Sequence, residues 1–168
     1  TPGQLLSDMD RTYAGTSGSA ETLGDGLTAG DVNDDGFDDL VVGAPCTTGC
    51  PGTAGLLLGA AAPADGLFAD VAALRVDGAP STNEAIGRAL ALMDFDGDGA
   101  VDLLLGGPGH DDIAGGDQGR LSVLYGPLAD LVGPLAVGAA IPDQVLGEAE
   151  GDAFGRAMAV QPDYNGDG

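Results

Sequence analysis

The sequence predicts an all-β chain built from repeated four-stranded antiparallel sheets, and three observations carry that expectation. An acidic pattern recurs, as DVNDDGFDD from Asp31, DFDGDGAVD from Asp94 and DYNGDG from Asp163. An apolar residue followed by glycine precedes every copy, at Leu23-Gly24, Ile86-Gly87 and Phe154-Gly155. Between these markers the apolar residues fall in short runs bounded by glycine and proline, too short for helices, which generally need about ten residues or more. The first acid follows the marker glycine by seven residues twice and by eight in the third copy. Two markers that hold nearly constant spacing over three copies define an internal repeat, with first acids 63 and 69 residues apart.

Taken in order, DRTYAG from Asp10 reads as the last strand of a preceding unit. The first complete unit opens with GLTAGD, small and mildly alternating, and continues past its acidic loop as DLVVGAP, an apolar run closed by Gly43-Ala44-Pro45. A third strand follows at AGLLLGAA from Ala54 and a fourth at AALRVDG from Ala72, with GLFADVAAL between them as the one helix-like stretch. The second unit repeats the order as RALALMD, an acidic loop, DLLLGGP, GRLSVLYGP from Gly119 and AIPDQVLGE from Ala140. Four strands in about 65 residues make one sheet per unit, and each acidic loop joins two neighbouring strands. The 31 glycines and ten prolines show no collagen period and lie between apolar runs, so they mark frequent turns.

The residue order of the loops points to a hard cation. Calcium takes six to eight oxygen ligands from carboxylates, amide carbonyls, backbone carbonyls and water, and alternate side chains in a tight turn converge on one ion. In the first loop Asp31, Asn33 and Asp35 would supply side-chain oxygens, Phe37 its backbone carbonyl, and Asp39 a last carboxylate from the following strand. The second loop offers Asp94, Asp96, Asp98, the Ala100 carbonyl and Asp102. Gly36 and Gly99 occupy the sharp turn that a Cβ would hinder. In the third copy Asp163, Asn165 and Asp167 are the corresponding ligands. The loop is not an EF-hand, which needs a bidentate glutamate at position 12, where this chain has Val42 and Leu105. Magnesium fits less well, because it demands near-ideal octahedral geometry and keeps its waters.

Composition narrows the function classes. There are 27 acids and five basic residues, all arginine, for a net charge of -22. Nucleic acid is therefore excluded as a partner, since phosphate binding rests on clustered lysine and arginine. No run approaches the roughly 18 apolar residues of a membrane span, and the start TPGQLLSDMD has no basic leader region, so the chain is expected to be a soluble, mature segment. Cys46 and Cys50 are the only cysteines; a C-x3-C pair lacks the four ligands of structural zinc and suits a small disulfide-closed loop, which implies an oxidising compartment and export. The single histidine, His110 in GGPGHDDIAGG, is expected to be a solvated loop residue rather than a catalytic base. Neither a nucleophile elbow nor a phosphate-binding Gly-Lys loop is present. Tyr13, Tyr125 and Tyr164, with no tryptophan, make a poor stacking site for sugars or bases. No enzymatic role is expected.

The Phe154-Gly155 marker, the acidic loops and the closing Gly43-Ala44-Pro45 together resemble the FG-GAP repeat of integrin alpha-subunit propellers and their bacterial relatives. The copies depart in detail, with Leu23 and Ile86 in place of phenylalanine and Gly106-Gly107-Pro108 in place of Gly-Ala-Pro. The resemblance implies that each unit is a four-stranded blade of a β-propeller with calcium held between strands. It divides the chain into the end of one unit (1–22), two complete units (23–85 and 86–153) and the start of another (154–168). About two and a half blades do not close a ring, so further repeats of the same chain, or other copies, are expected to pack against both ends. The implied function is an extracellular module for structural assembly, adhesion, or binding of a protein or glycan; the alternative is an accessory, non-catalytic region of a secreted hydrolase or lectin.

Overall fold

The computed structural model describes residues 13–14, 22–46, 50–60, 66–79, 83–111, 116–131, 133–138, 141 and 143–159. Its strands follow the order read from the sequence. β1 (Tyr13–Ala14) precedes a first group made of β2 (Gly26–Gly30), β3 (Asp39–Ala44), β4 (Thr53–Leu57), β5 (Gly66–Leu67), the single helical turn α1 (Phe68–Val71) and β6 (Leu74–Asp77). A second group holds β7 (Ala89–Met93), β8 (Asp102–Gly107), β9 (Arg120–Leu124), β10 (Leu135–Ala136) and β11 (Gln144–Leu146), with a 3-10 turn at Leu128–Asp130. Among the described residues no helix is long and apolar enough to cross a membrane.

Two antiparallel meanders result, β2-β3-β4-β6 and β7-β8-β9-β11. Each acidic loop closes the first hairpin of its sheet, with Gly30 paired to Asp39 and Met93 to Asp102 at the mouth. The position-9 acids are therefore the first residues of the outgoing strands.

Parallel edge pairs were not anticipated. β10 adds to the outer edge of β6, making the first sheet five-stranded, and β5 pairs in the same way with β1. In both cases the chain leaves the third strand of its sheet, pairs in parallel over two residues with a strand earlier in the chain, and only then supplies the fourth strand of its own sheet. That short strap occupies backbone groups which would otherwise form an open sheet edge.

The main core lies between the two sheets. Val41, Ala54, Leu56, Leu74 and Val76 of the first face Ile86, Leu103, Leu105, Leu124 and Leu128 of the second. Neighbouring strand residues point to opposite faces, so Val42 and Leu57 pack behind the first sheet with Phe68 of α1, and Leu104 behind the second with Ala91 and Val123. With both faces covered, β3 and β8 have to be apolar at successive positions. This is why DLVVGA and DLLLGG are continuous runs rather than alternating ones. Burying a leucine as completely as Leu105, at 0% exposure, stabilises the fold by about 1.5 to 3 kcal/mol.

The apolar-glycine markers join one unit to the next. Ile86 bridges Gly52, and Phe154 bridges Gly119; the Ile86 N–H donates to the Pro51 carbonyl at 3.0 Å and the Phe154 N–H to the Gln118 carbonyl at 2.9 Å. The marker glycine then lies directly on a strand glycine of the preceding unit. A Cβ on Gly43 would come within 3.0 Å of the Gly87 Cα, and one on Gly155 within 3.1 Å of the Gly106 Cα. Gly87 and Gly155 also have positive φ, 87° and 81°, a conformation that glycine adopts at little cost. Marker and closing glycines are thus two halves of one contact between consecutive units.

Candidate metal-binding loops

Both complete loops fold as nested turns in which carboxylates accept the loop's own N–H groups. In the first, Asp31 accepts from Asn33 at 3.4 Å, Asp35 at 3.1 Å and Gly36 at 2.8 Å. Asn33 Oδ1 accepts from the Asp35 N–H at 3.1 Å, and Asp35 Oδ1 from the Phe37 N–H at 2.9 Å. The second loop repeats the scheme: Asp94 accepts from Gly97 at 2.7 Å and Gly99 at 3.0 Å, Asp96 from Asp98 at 3.1 Å, and Asp98 from Ala100 at 2.8 Å. Gly36 and Gly99 sit at φ 87° and 92°. The Gly36 N–H, against the opposing effect of burial and with help from the amides of Asp35, Asn33 and Asp34, holds the Asp31 carboxyl below its ordinary value.

Asp39 and Asp102 differ from the other acids in being buried, at 0% and 1% exposure. Asp39 Oδ2 accepts from the Val32 N–H at 2.9 Å and Oδ1 from the Gly59 N–H at 2.7 Å. Asp102 does the same with Phe95 at 2.7 Å and Gly126 at 2.8 Å. Each of these carboxylates ties its loop to the segment beyond the third strand, so it shapes the loop as well as offering it an oxygen.

In the second loop one oxygen from each of Asp94, Asp96 and Asp102 lies within 4.8 Å of the others. Two oxygens bonded to the same calcium at about 2.3 to 2.6 Å are at most about 5 Å apart, so this group meets the spacing that a shared ion requires. The donors are all hard oxygens, which suits calcium and excludes a thiophilic metal. Asp98 is turned toward the Ala100 N–H and is not one of the three. In the first loop the position equivalent to Asp96 is Asn33, whose Nδ2 donates to Asp35 Oδ2 at 3.1 Å. Among the described residues Asp31, Asp35 and Asp39 do not form a second group with that spacing, so the first loop shares the backbone scheme and the buried Asp39 but not the convergence. Phe37 and Ala100 occupy the turn positions from which a backbone carbonyl would be offered. The third set, Asp163, Asn165 and Asp167, lies outside the described residues.

Cys46 and Cys50 form a disulfide with a Cα–Cα distance of 5.5 Å, directly after the first closing turn. His110 contradicts the expectation of a solvated loop residue: it is 5% exposed. Its Nδ1 lies 3.6 Å from Glu84 Oε1, and Arg120 forms an ion pair with the same carboxylate. Glu84 Oε2 accepts the Ala79 N–H at 2.7 Å, and Arg120 also donates to Gln144 Oε1 at 3.0 Å. These residues come from the segment after β6, the approach to the second marker, the turn after β8 and the strand β9. The second unit folds over the loop containing His110, and only the three-dimensional arrangement brings the buried charges together. A lone glutamate in STNEAIG gives no sequence signal of such a role, while an arginine inside the apolar strand GRLSVL is the one cue that was present.

Two meandering sheets, packed face to face and joined by repeated glycine contacts, define an all-β repeat protein whose sheets are propeller blades. Residues 86–124 match the family model of the FG-GAP repeat, which spans the Ile86-Gly87 marker, the second acidic loop, β8 and β9, and is consistent with an integrin alpha-like β-propeller repeat protein. No curated protein matches the chain.

Proposed function

We propose that this chain is a calcium-binding module of an exported propeller protein, acting in structural assembly, adhesion, or binding of an extracellular protein or glycan. The observation that carries the reading is the convergence of Asp94, Asp96 and Asp102 on the loop between the first two strands of the FG-GAP repeat. Calcium there would cross-link the loop's turn to β8 through Asp102, and in the first loop to β3 through Asp39. The ion supplies charge neutralisation and rigidity, and no catalytic step is assigned to the module. The disulfide supports an oxidising destination.

Calorimetric titration of the metal-free chain with calcium tests this. Binding in the range of extracellular modules, about 0.1 to 1 mM, is expected, together with a calcium-dependent rise in thermal midpoint by mass action. Asp96→Ala should weaken the second site and leave the first intact. A titration without binding heat at millimolar calcium, and with no change in midpoint, overturns the reading.

A further inference from the structure

Arg88 and Arg156, two of the chain's five basic residues, line one cavity of about 380 Å³ together with Asn83, Gly109, Asp117 and Ala153. Each arginine directly follows a marker glycine, so the two hold the same position in successive units. The corresponding residue of the first marker is Asp25. The three markers adopt the same turn: the Asp25 N–H donates to the Thr22 carbonyl, that of Arg88 to Ala85 and that of Arg156 to Ala153, each at 3.2 Å. Across the first junction the position is complementary, because Arg88 Nη1 reaches Asp25 Oδ2 at 3.3 Å. One unit further along, Arg156 takes this position, and it lines the same cavity as Arg88. Arg156 makes no ion pair among the described residues.

We propose that this notch binds a small oxyanion, carboxylate or tetrahedral, held between the guanidinium groups of Arg88 and Arg156. Guanidinium offers a planar fork of donors matched to two oxygens of one anion; an anion in this cavity gives Arg156 a partner, while Arg88 keeps donors beyond the one that reaches Asp25. In a chain of net charge -22 with five arginines, two of them line this one cavity, and only Arg88 is already paired, with Asp25. Asp117 on the same wall disfavours bulky polyanions, so the ligand carries one or two charges. The site is separate from the acidic loops and does not depend on their metal.

The test is an amide NMR titration of the whole 15N-labelled chain with sodium sulfate and, separately, sodium acetate, with ionic strength held constant by chloride. Saturable shifts centred on Arg88, Gly109, Ala153 and Arg156 are expected with at least one of the two; a response to sulfate identifies a tetrahedral ligand and one to acetate a carboxylate. Arg156→Gln should lower the affinity about tenfold or more, the value of one charge-assisted hydrogen bond. Arg75→Gln, at a position where the arginine pairs with Asp77 at 2.8 Å, should leave it unchanged. Arg88→Gln also removes the partner of Asp25, so Arg156→Gln is the deciding variant. Shifts that do not saturate with either salt, or saturable binding that persists unchanged in Arg156→Gln, overturn the proposal.

Discussion

Asp102 and Asp98 lie four residues apart in one loop and are expected to respond very differently to removal. Asp98 is exposed and accepts one local N–H, whereas Asp102 is buried and satisfies the amides of Phe95 inside the loop and of Gly126 beyond β9. An acceptor lost from a buried donor costs about 1 to 3 kcal/mol per group left without a partner. In calcium-free protein Asp102→Ala should therefore lower unfolding free energy by about 2 kcal/mol or more, and Asp98→Ala by about 1 kcal/mol or less. Urea denaturation in the presence of a chelator checks both. Equal losses would show that the carboxylates act only as ligands and that Asp102 does not organise the loop.

At the scale of elements, the marker glycine of one unit and the strand glycine of the unit before it act as a matched pair. A Cβ on Gly106 would meet the Gly155 carbonyl and come within 3.3 Å of the Ala89 Cβ. Since the obstacle is backbone, it cannot swing aside as a flexible side chain would. Gly106→Ala is expected to lower stability by about 1 to 3 kcal/mol, the range for overpacking a close contact. Gly30→Ala, whose Cβ would rest at 3.6 Å from Leu92 Cδ1, should change it by less than about 0.5 kcal/mol. Thermal midpoints of the two variants make the comparison. A similar small change in both would mean that neighbouring units slide apart easily and that the glycine contact does not hold them in register.

Across the whole molecule the two sheets are joined by an apolar core and by the buried Glu84 carboxylate. Glu84 links the Ala79 amide at the end of the first unit to Arg120 and His110 in the second. Replacing a buried ion pair with apolar groups can be neutral, but deleting one partner strands the other charge and costs about 3 to 5 kcal/mol. Glu84→Ala should lose that much, and hydrogen exchange should quicken in β6 and β9 together, because the carboxylate reaches from one sheet to the other. Faster exchange confined to one of the two sheets would show that the units open independently and that Glu84 does not couple them.

The repeat, the strands, the hairpin loops and the disulfide were legible in the sequence because each is a local matter. An acid pattern with a glycine at the turn, a short apolar run closed by glycine or proline, and two cysteines four residues apart specify their conformations over fewer than ten residues. The close approach of the Asp94 and Asp96 carboxylate oxygens belongs to the same class. What only the tertiary structure decided joins residues far apart in the chain: the β10 strap on β6, the Gly43–Gly87 contact, the Asp102 bond to Gly126, and the burial of His110 against Glu84 and Arg120. None of these leaves a periodic trace, since each depends on how one sheet stacks on the next. Stacking is set by the sum of many apolar contacts between Val41, Leu56, Leu103 and Leu105 and their neighbours, and a histidine in a glycine-rich loop becomes a core residue only once that stack has closed over it.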